Sequence, residues 1–207
     1  MAGIALRLKE HTRSAHQSAE GQSFQVALGR GTLSLNLYKA YLFQLWLIHA
    51  ELEDQIREHS VMINVVTDEQ MQTSWLRQDL LCLKVDLTAG SRAKATKQIL
   101  EKIRATAKEH SIALLGYHYV LLGSKHGGKY IAAMIKKNHN LENGGTKYFD
   151  PYGPEFQKHW QRFITALNEL ELSDADANAM VQAAGDMFSS VEQIGSELES
   201  SLAGREL

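Results

Sequence analysis

Leu35, Tyr38, Leu42, Leu45, Ile48, Leu52 and Ile56 follow one another at spacings of three and four. That period places them on one face of a helix about six turns long. Only two prolines occur in 207 residues, and no long stretch alternates apolar with polar residues as a half-buried strand would. A chain patterned in this way folds as helices packed on helices. Start signals recur along it. Thr67 with Gln70 has the spacing of a capping box, Gly153-Pro154 sets proline at a first turn, and Ser173 precedes Asp174 and Asp176. The pattern predicts helices over 4–20, 34–59, 68–82, 91–109, 111–138, 155–170 and 174–200, and a short one fits 22–29. Residues 143–153 form the one long turn-rich connection. No repeat, low-complexity tract or linker divides the chain, so residues 1–207 read as one all-α domain.

Charge and length narrow the function classes. A chain of this size can bury one substantial core. Its 22 basic and 24 acidic residues give a net charge of −2, so no global basic field invites nucleic acid. The single Cys82 rules out an internal disulfide and suits a reducing compartment. The longest apolar stretch, Ala40 to Ala50, is broken by Gln44 and His49 and is about half the ~20 residues a membrane span needs. The opening residues turn charged too soon to hold the apolar core of a signal peptide. The expectation is a cytoplasmic protein with neither membrane nor nucleic acid as partner.

Two segments carry chemistry. On the first helix, Lys9, Thr12, Arg13, His16 and Glu20 share one face, opposite Leu8, Ala15 and Ala19. An imidazole is a good ligand for heme iron, and cations one to two turns away can meet the acidic groups of such a cofactor. Glu20 can accept a hydrogen bond from the second imidazole nitrogen and fix its tautomer. A solvated amphipathic helix with an incidental histidine would look the same.

The second segment is Gly123-Ser-Lys-His-Gly127-Gly128. Each glycine costs a helix interior about 1 kcal/mol relative to alanine. Three within six residues call for a reason. Close approach of a flat ligand to the backbone is one, helped by the kink that glycines permit. Tight helix–helix packing is the other. The match to a phosphate-binding loop at Gly123–Lys129 is a decoy, because Tyr130 stands where a small hydroxyl is needed and the preceding sequence is helical.

Together the segments resemble the heme oxygenase family. Leu8-Lys9-Glu10-x-Thr12-Arg13-x-x-His16-x-x-x-Glu20 is similar to the family's proximal-helix motif. Tyr119-Val-Leu-Leu-Gly123-Ser124-x-x-Gly127-Gly128 is similar to its distal helix in the bacterial form, where Gly-Ser replaces the Gly-Asp of mammalian enzymes. Lys147–Gly153 and Trp160-x-x-Phe163 resemble the bacterial subgroup, including enzymes paired with bacterial phytochromes. The resemblance implies a single-domain helical bundle with heme between proximal and distal helices. It implies cleavage of heme, which is both substrate and cofactor, to biliverdin, carbon monoxide and ferrous iron. That reaction consumes O2 and electrons from an external donor, a reductase or a ferredoxin- or flavodoxin-type protein. By position, His16 would be the axial ligand and Glu20 its partner, with Lys9, Tyr119 and Arg13 contacting the propionates. Gly123, Gly127 and Gly128 would line the heme face, and Ser124 with backbone groups at Gly123 would hold the catalytic water.

The chain departs from the mammalian pattern in ways that bear on proton supply. Ser124 replaces the carboxylate that organises water, Val120 replaces an arginine, and Leu122 stands where bacterial relatives often carry an acid. His126, His118 and His49 are candidates to approach the distal pocket. Position 126 lies about 60° from 123 and about 100° from 127 around a straight helix, so it points aside unless a kink redirects it. Were His126 to reach the iron, the alternative function would be a non-catalytic heme carrier or sensor. A relative of the same fold with another small-molecule ligand is the third reading.

Overall fold

The computed structural model describes residues 3–203, so the expected 1–207 domain extends beyond them at both ends. Eleven α-helices run in order among these residues: α1 Ile4–His11, α2 Arg13–Gly21, α3 Ser23–Arg30, α4 Leu35–Arg57, α5 Ser60–Ile63, α6 Thr73–Cys82, α7 Lys94–Glu109, α8 Leu114–Gly123, α9 Gly128–His139, α10 Phe156–Asn168 and α11 Asp174–Ala203. The expected all-α class is what the chain adopts. Several ends form as the sequence signals. Ser173 caps α11 at Asp176 N, 3.1 Å away. At α4 the hydroxyl of Ser34, a residue expected inside the helix, accepts from Leu37 N at 3.2 Å and caps it. Gln70 Oε1 accepts from Thr67 N at 3.2 Å around a 3-10 turn over 68–70.

The core is continuous. Tyr38, Leu42, Leu45, Ile48, Leu52 and Ile56 of the α4 stripe are buried, and Leu35 is half-buried at its end. Helix α4 packs on α6, α7, α8 and α11. The longest helix, α11, runs against α1, α2, α3, α7 and α8 and ties the proximal and distal parts together. Its approach to α8 is close because Gly116 leaves room for the Met180 carbonyl, which a Cβ would strike.

Three predicted helices are broken, two of them at the segments that carry chemistry; the third, expected over 68–82, is a 3-10 turn over 68–70 followed by extended backbone at Met71 and then α6. The first divides at Thr12, whose hydroxyl donates to the Leu8 carbonyl at 2.8 Å while its own N–H donates to the same oxygen at 3.0 Å. Such back-bonding bends a helix. Thr12 is therefore buried, which corrects its expected place on the polar face. The predicted helix over 111–138 opens as a 3-10 turn at 111–113, and α8 ends at Gly123. A second 3-10 turn covers 124–126 and α9 then resumes. Carbonyls freed by that change are taken up locally: Ser124 Oγ donates to Leu121 O at 2.7 Å, and His126 Nδ1 donates to Gly123 O at 2.8 Å.

Candidate active site

The proximal face is open. His16 and Glu20 are 55% and 71% exposed, with His16 Nδ1 3.4 Å from Glu20 Oε2. The contact occupies Nδ1 and leaves Nε2 free for a ligand. Phe188 of α11 lies edge-on to the imidazole at 5.6 Å and 73°. That is a positioning contact from 172 residues away in the chain, one that no local motif announces. Lys9 and Arg13 are exposed on the same segment.

On the distal side the three glycines have three different surroundings. A Cβ on Gly127 would meet nothing within 4 Å. One on Gly123 would sit 3.5 Å from the Trp160 ring of α10, an ordinary contact. One on Gly128 would collide with the Phe149 carbonyl. Gly128 is thus accounted for by packing against the 143–153 connection, while Gly127 is the bare surface available to a flat ligand. Tyr119 is half-buried against Trp160, ring centroids 5.4 Å apart, and burial raises its hydroxyl pKa.

The three histidines named as candidates for the distal pocket each lie against other groups. His126 is exposed and turns onto α10, edge-on to Phe156 at 4.7 Å and Trp160 at 5.0 Å, with Nδ1 held by Gly123 O. His118 is buried against Phe163, and burial, aided by His49, lowers its pKa to about 3. His49 is buried between Tyr148 Oη at 3.2 Å on Nε2 and Glu53 Oε1 at 3.3 Å on Nδ1.

His49 belongs to a buried polar chain beneath the distal turn. Glu53 accepts from Gln72 N at 2.5 Å and Thr73 N at 3.0 Å, the backbone donors that open α6. Burial pushes the Glu53 carboxyl up, but bonds from His49, Gln72 and Thr73 outweigh it and hold the pKa below its ordinary value. Burial keeps His49 neutral at lower pH than usual, against the pull of Glu53. A carboxylate on Nδ1 fixes the Nδ1–H tautomer, so Nε2 accepts the Tyr148 hydroxyl proton. Tyr148 lies beneath Ser124 of the distal turn, whose hydroxyl feels the phenol although its own proton goes to Leu121 O. Asp79 of α6 accepts from Lys147 N at 2.9 Å and Tyr148 N at 2.7 Å and so pins this stretch of the connection. Glu53, Asp79 and Tyr148 were not among the expected site residues. The His49-x-x-x-Glu53 spacing, matching His16-x-x-x-Glu20, is the signal that points to the first of them.

The exposed imidazole of α2 and the glycine-bared turn between α8 and α9 are the two surfaces this helical fold offers to a flat ligand. The chain belongs to the heme oxygenase family: the family's profile, described as heme oxygenase, matches residues 2–197. Heme oxygenase 1 of the cyanobacterium Synechocystis is 24% identical over 210 residues, covering 96% of this chain and 86% of that protein. Among solved structures, heme oxygenase-1 of Synechocystis in complex with heme aligns with a TM-score of 0.89 at 22% identity, over 99% of this chain and 96% of that one. Heme oxygenase from Leptospira interrogans aligns at 0.84 and 21% identity, over 94% of this chain and 99% of that one. Among the described residues, no helix is long and apolar enough to cross a membrane.

Proposed function

We propose that this chain cleaves heme to biliverdin, carbon monoxide and ferrous iron, using O2 and electrons from a separate reductase or ferredoxin- or flavodoxin-type donor. One observation carries the reading: an exposed His16 with Nδ1 occupied by Glu20, in a family chain whose distal turn bares Gly127. His16 Nε2 would hold the iron, and Lys9, Arg13 and Tyr119 would meet the propionates. Gly123 and Gly127 form the distal wall, and Gly128 keeps that wall seated on Phe149. Heme, when bound, supplies the iron that activates oxygen and the ring that is opened. The protein's part is to orient it and to deliver protons. Ser124, Tyr148, His49 and Glu53 supply the polar chain that a carboxylate beside the first glycine would otherwise organise. In that chain Tyr148 donates to His49, so its oxygen accepts from the distal side, and a water at Ser124 finds a fixed acceptor. Cys82 is a free, exposed thiol, in keeping with the reducing cytoplasm as the setting.

The test is an absorbance time course of the hemin-loaded protein in air with ascorbate and catalase. Loss of the Soret band with growth of a biliverdin band is expected. A Soret band that forms, reduces and persists would overturn the reading.

A further inference from the structure

Lys125 lies in the middle of the distal turn and is only 4% exposed. Its Nζ has no hydrogen-bond partner. It sits 3.0 Å above the centroid of the Tyr148 ring and 5.8 Å from that of Phe149. An unpartnered ammonium inside a protein is costly, and Lys elsewhere in the chain stays at the surface. The side chain has turned inward from a turn whose neighbours Ser124, His126 and Gly127 are all exposed. What it meets there is the ring whose hydroxyl donates to His49 beneath the distal turn.

We propose that Lys125 is a positioning residue for the distal proton chain: its ammonium clamps the Tyr148 ring from the π face, so that the hydroxyl stays on His49 beneath the distal turn. The proposal rests on the heme oxygenase reading above. Attraction between a cation and an aromatic face holds a ring's tilt without competing for its hydroxyl. Asp79 completes the clamp from α6, holding the Tyr148 backbone by its N–H and facing Lys125 with a carboxylate. The other groups around the site are His49 on α4, which Lys125 disfavours as a cation, and Tyr38 on α4, whose hydroxyl donates to Gly145 O at 2.7 Å beside the same loop. Glu53 lies beyond His49 and also faces Tyr148.

The clamp depends on charge. Burial depresses the Lys125 pKa well below the ordinary lysine value, with Asp79 opposing. A depressed pKa means the unfolded chain binds this proton more tightly than the folded one, so the ammonium costs stability as pH falls while it tightens the clamp. Stability and proton delivery are therefore opposed at this residue, and that opposition separates the proposal from a packing role.

Three variants and an unliganded control test it. In the heme-free protein, the Lys125 ε-protons should be shifted upfield by the Tyr148 ring in NMR spectra, and their titration should fall below that of free lysine. Lys125→Met should keep or raise the apo melting temperature, bind hemin with an unaltered Soret band, and slow ring opening about tenfold. Its turnover should also lose the fall toward alkaline pH that Lys125 deprotonation gives the parent. Lys125→Arg keeps a charge that does not titrate in this range, so it should restore the rate and hold it at alkaline pH. Should the arginine variant fail to fold, Tyr148→Phe serves instead. It should slow turnover to the same degree and make a second Lys125→Met change silent. Superimposable pH profiles for parent and Lys125→Met, or unshifted ε-protons, would overturn the proposal. Failure of the parent to consume bound heme would instead overturn the functional reading, and the NMR result would stand apart from it.

Discussion

The chain uses one local pattern twice. His16–Glu20 and His49–Glu53 are both histidine and glutamate four residues apart on a helix, with Nδ1 to carboxylate distances of 3.4 and 3.3 Å. The first pair is 55% and 71% exposed, the second 2% and 2%. Spacing is the same, and surroundings decide the rest. On the open helix the carboxylate leaves Nε2 facing solvent, where a metal can take it. In the core, Tyr148 has taken Nε2 and the α6 backbone has taken Glu53, so that pair can only transmit a polarity set elsewhere. A His-x-x-x-Glu motif is therefore not a ligand signature until its free nitrogen is known to be free.

Breaking each pair should separate the two roles most sharply. Glu53→Ala leaves a buried imidazole and two backbone N–H groups without their acceptor, and loss of about 3–5 kcal/mol is expected for a buried pair broken from one side. Urea unfolding of the heme-free protein measures it. His16→Ala removes an exposed side chain, so the same measurement should move by no more than about 0.5 kcal/mol, while axial coordination and ring opening are lost and exogenous imidazole restores part of the spectrum. A large stability loss at His16, or none at Glu53, would erase the distinction.

Acid should find the buried histidines next. The His118 pKa falls to about 3 in the fold, below an ordinary ~6.5. Its stabilisation is complete above that ordinary value and is lost as pH falls toward the folded one, costing about 3 kcal/mol by pH ~4.5. His49 is shifted in the same direction and adds to it. Glu53, also depressed, begins to contribute loss only at more acid pH. His118 Nε2 has no partner, so His118→Leu should be tolerated and should flatten the melting temperature between pH 6.5 and 4.5. An unchanged acid slope would place the sensitivity elsewhere.

How much of this could be read from the sequence follows from the range of each contact. The α4 stripe, the cap at Ser173 and the cations beside His16 are local, set by spacings of three and four. They form where the pattern put them. The distal chain is different. Tyr148 meets His49 across 99 positions and Asp79 across 69. Neither the tyrosine nor the aspartate stands in a pattern that marks it as buried. Lys125 reads as a surface lysine because every rule of composition says so. Even the glycine segment was legible only as a group: its three members divide between an open face, a tryptophan and a backbone carbonyl from residue 149.

That division gives a smaller but cleaner test. Gly128→Ala forces a methyl into the Phe149 carbonyl, and about 1–3 kcal/mol of destabilisation is expected for overpacking of this kind. Gly127→Ala has open space and should leave unfolding within about 0.5 kcal/mol. Its effect should appear in hemin affinity and in the product isomer, because the added methyl enters the face on which the ring lies. Equal stability losses at the two glycines would show that both serve packing alone, and would remove the bared surface from the site.

The smallest effect returns to the open pair. Glu20→Gln keeps a hydrogen-bond acceptor on His16 Nδ1 and removes its charge. The pair is solvent-screened, so the change should be worth less than about 1 kcal/mol, seen as a few-fold fall in hemin affinity and a shift of the iron–histidine stretching band toward lower frequency. Glu53→Gln makes the identical chemical change in the core, where the amide presents two donors that meet the Gln72 and Thr73 N–H groups with only one oxygen left to accept. It should cost markedly more stability than Glu20→Gln and leave the iron–histidine band where it was. If the two substitutions gave the same stability change, burial would not be what distinguishes the pairs, and the assignment of one as ligand and the other as support would lose its physical basis.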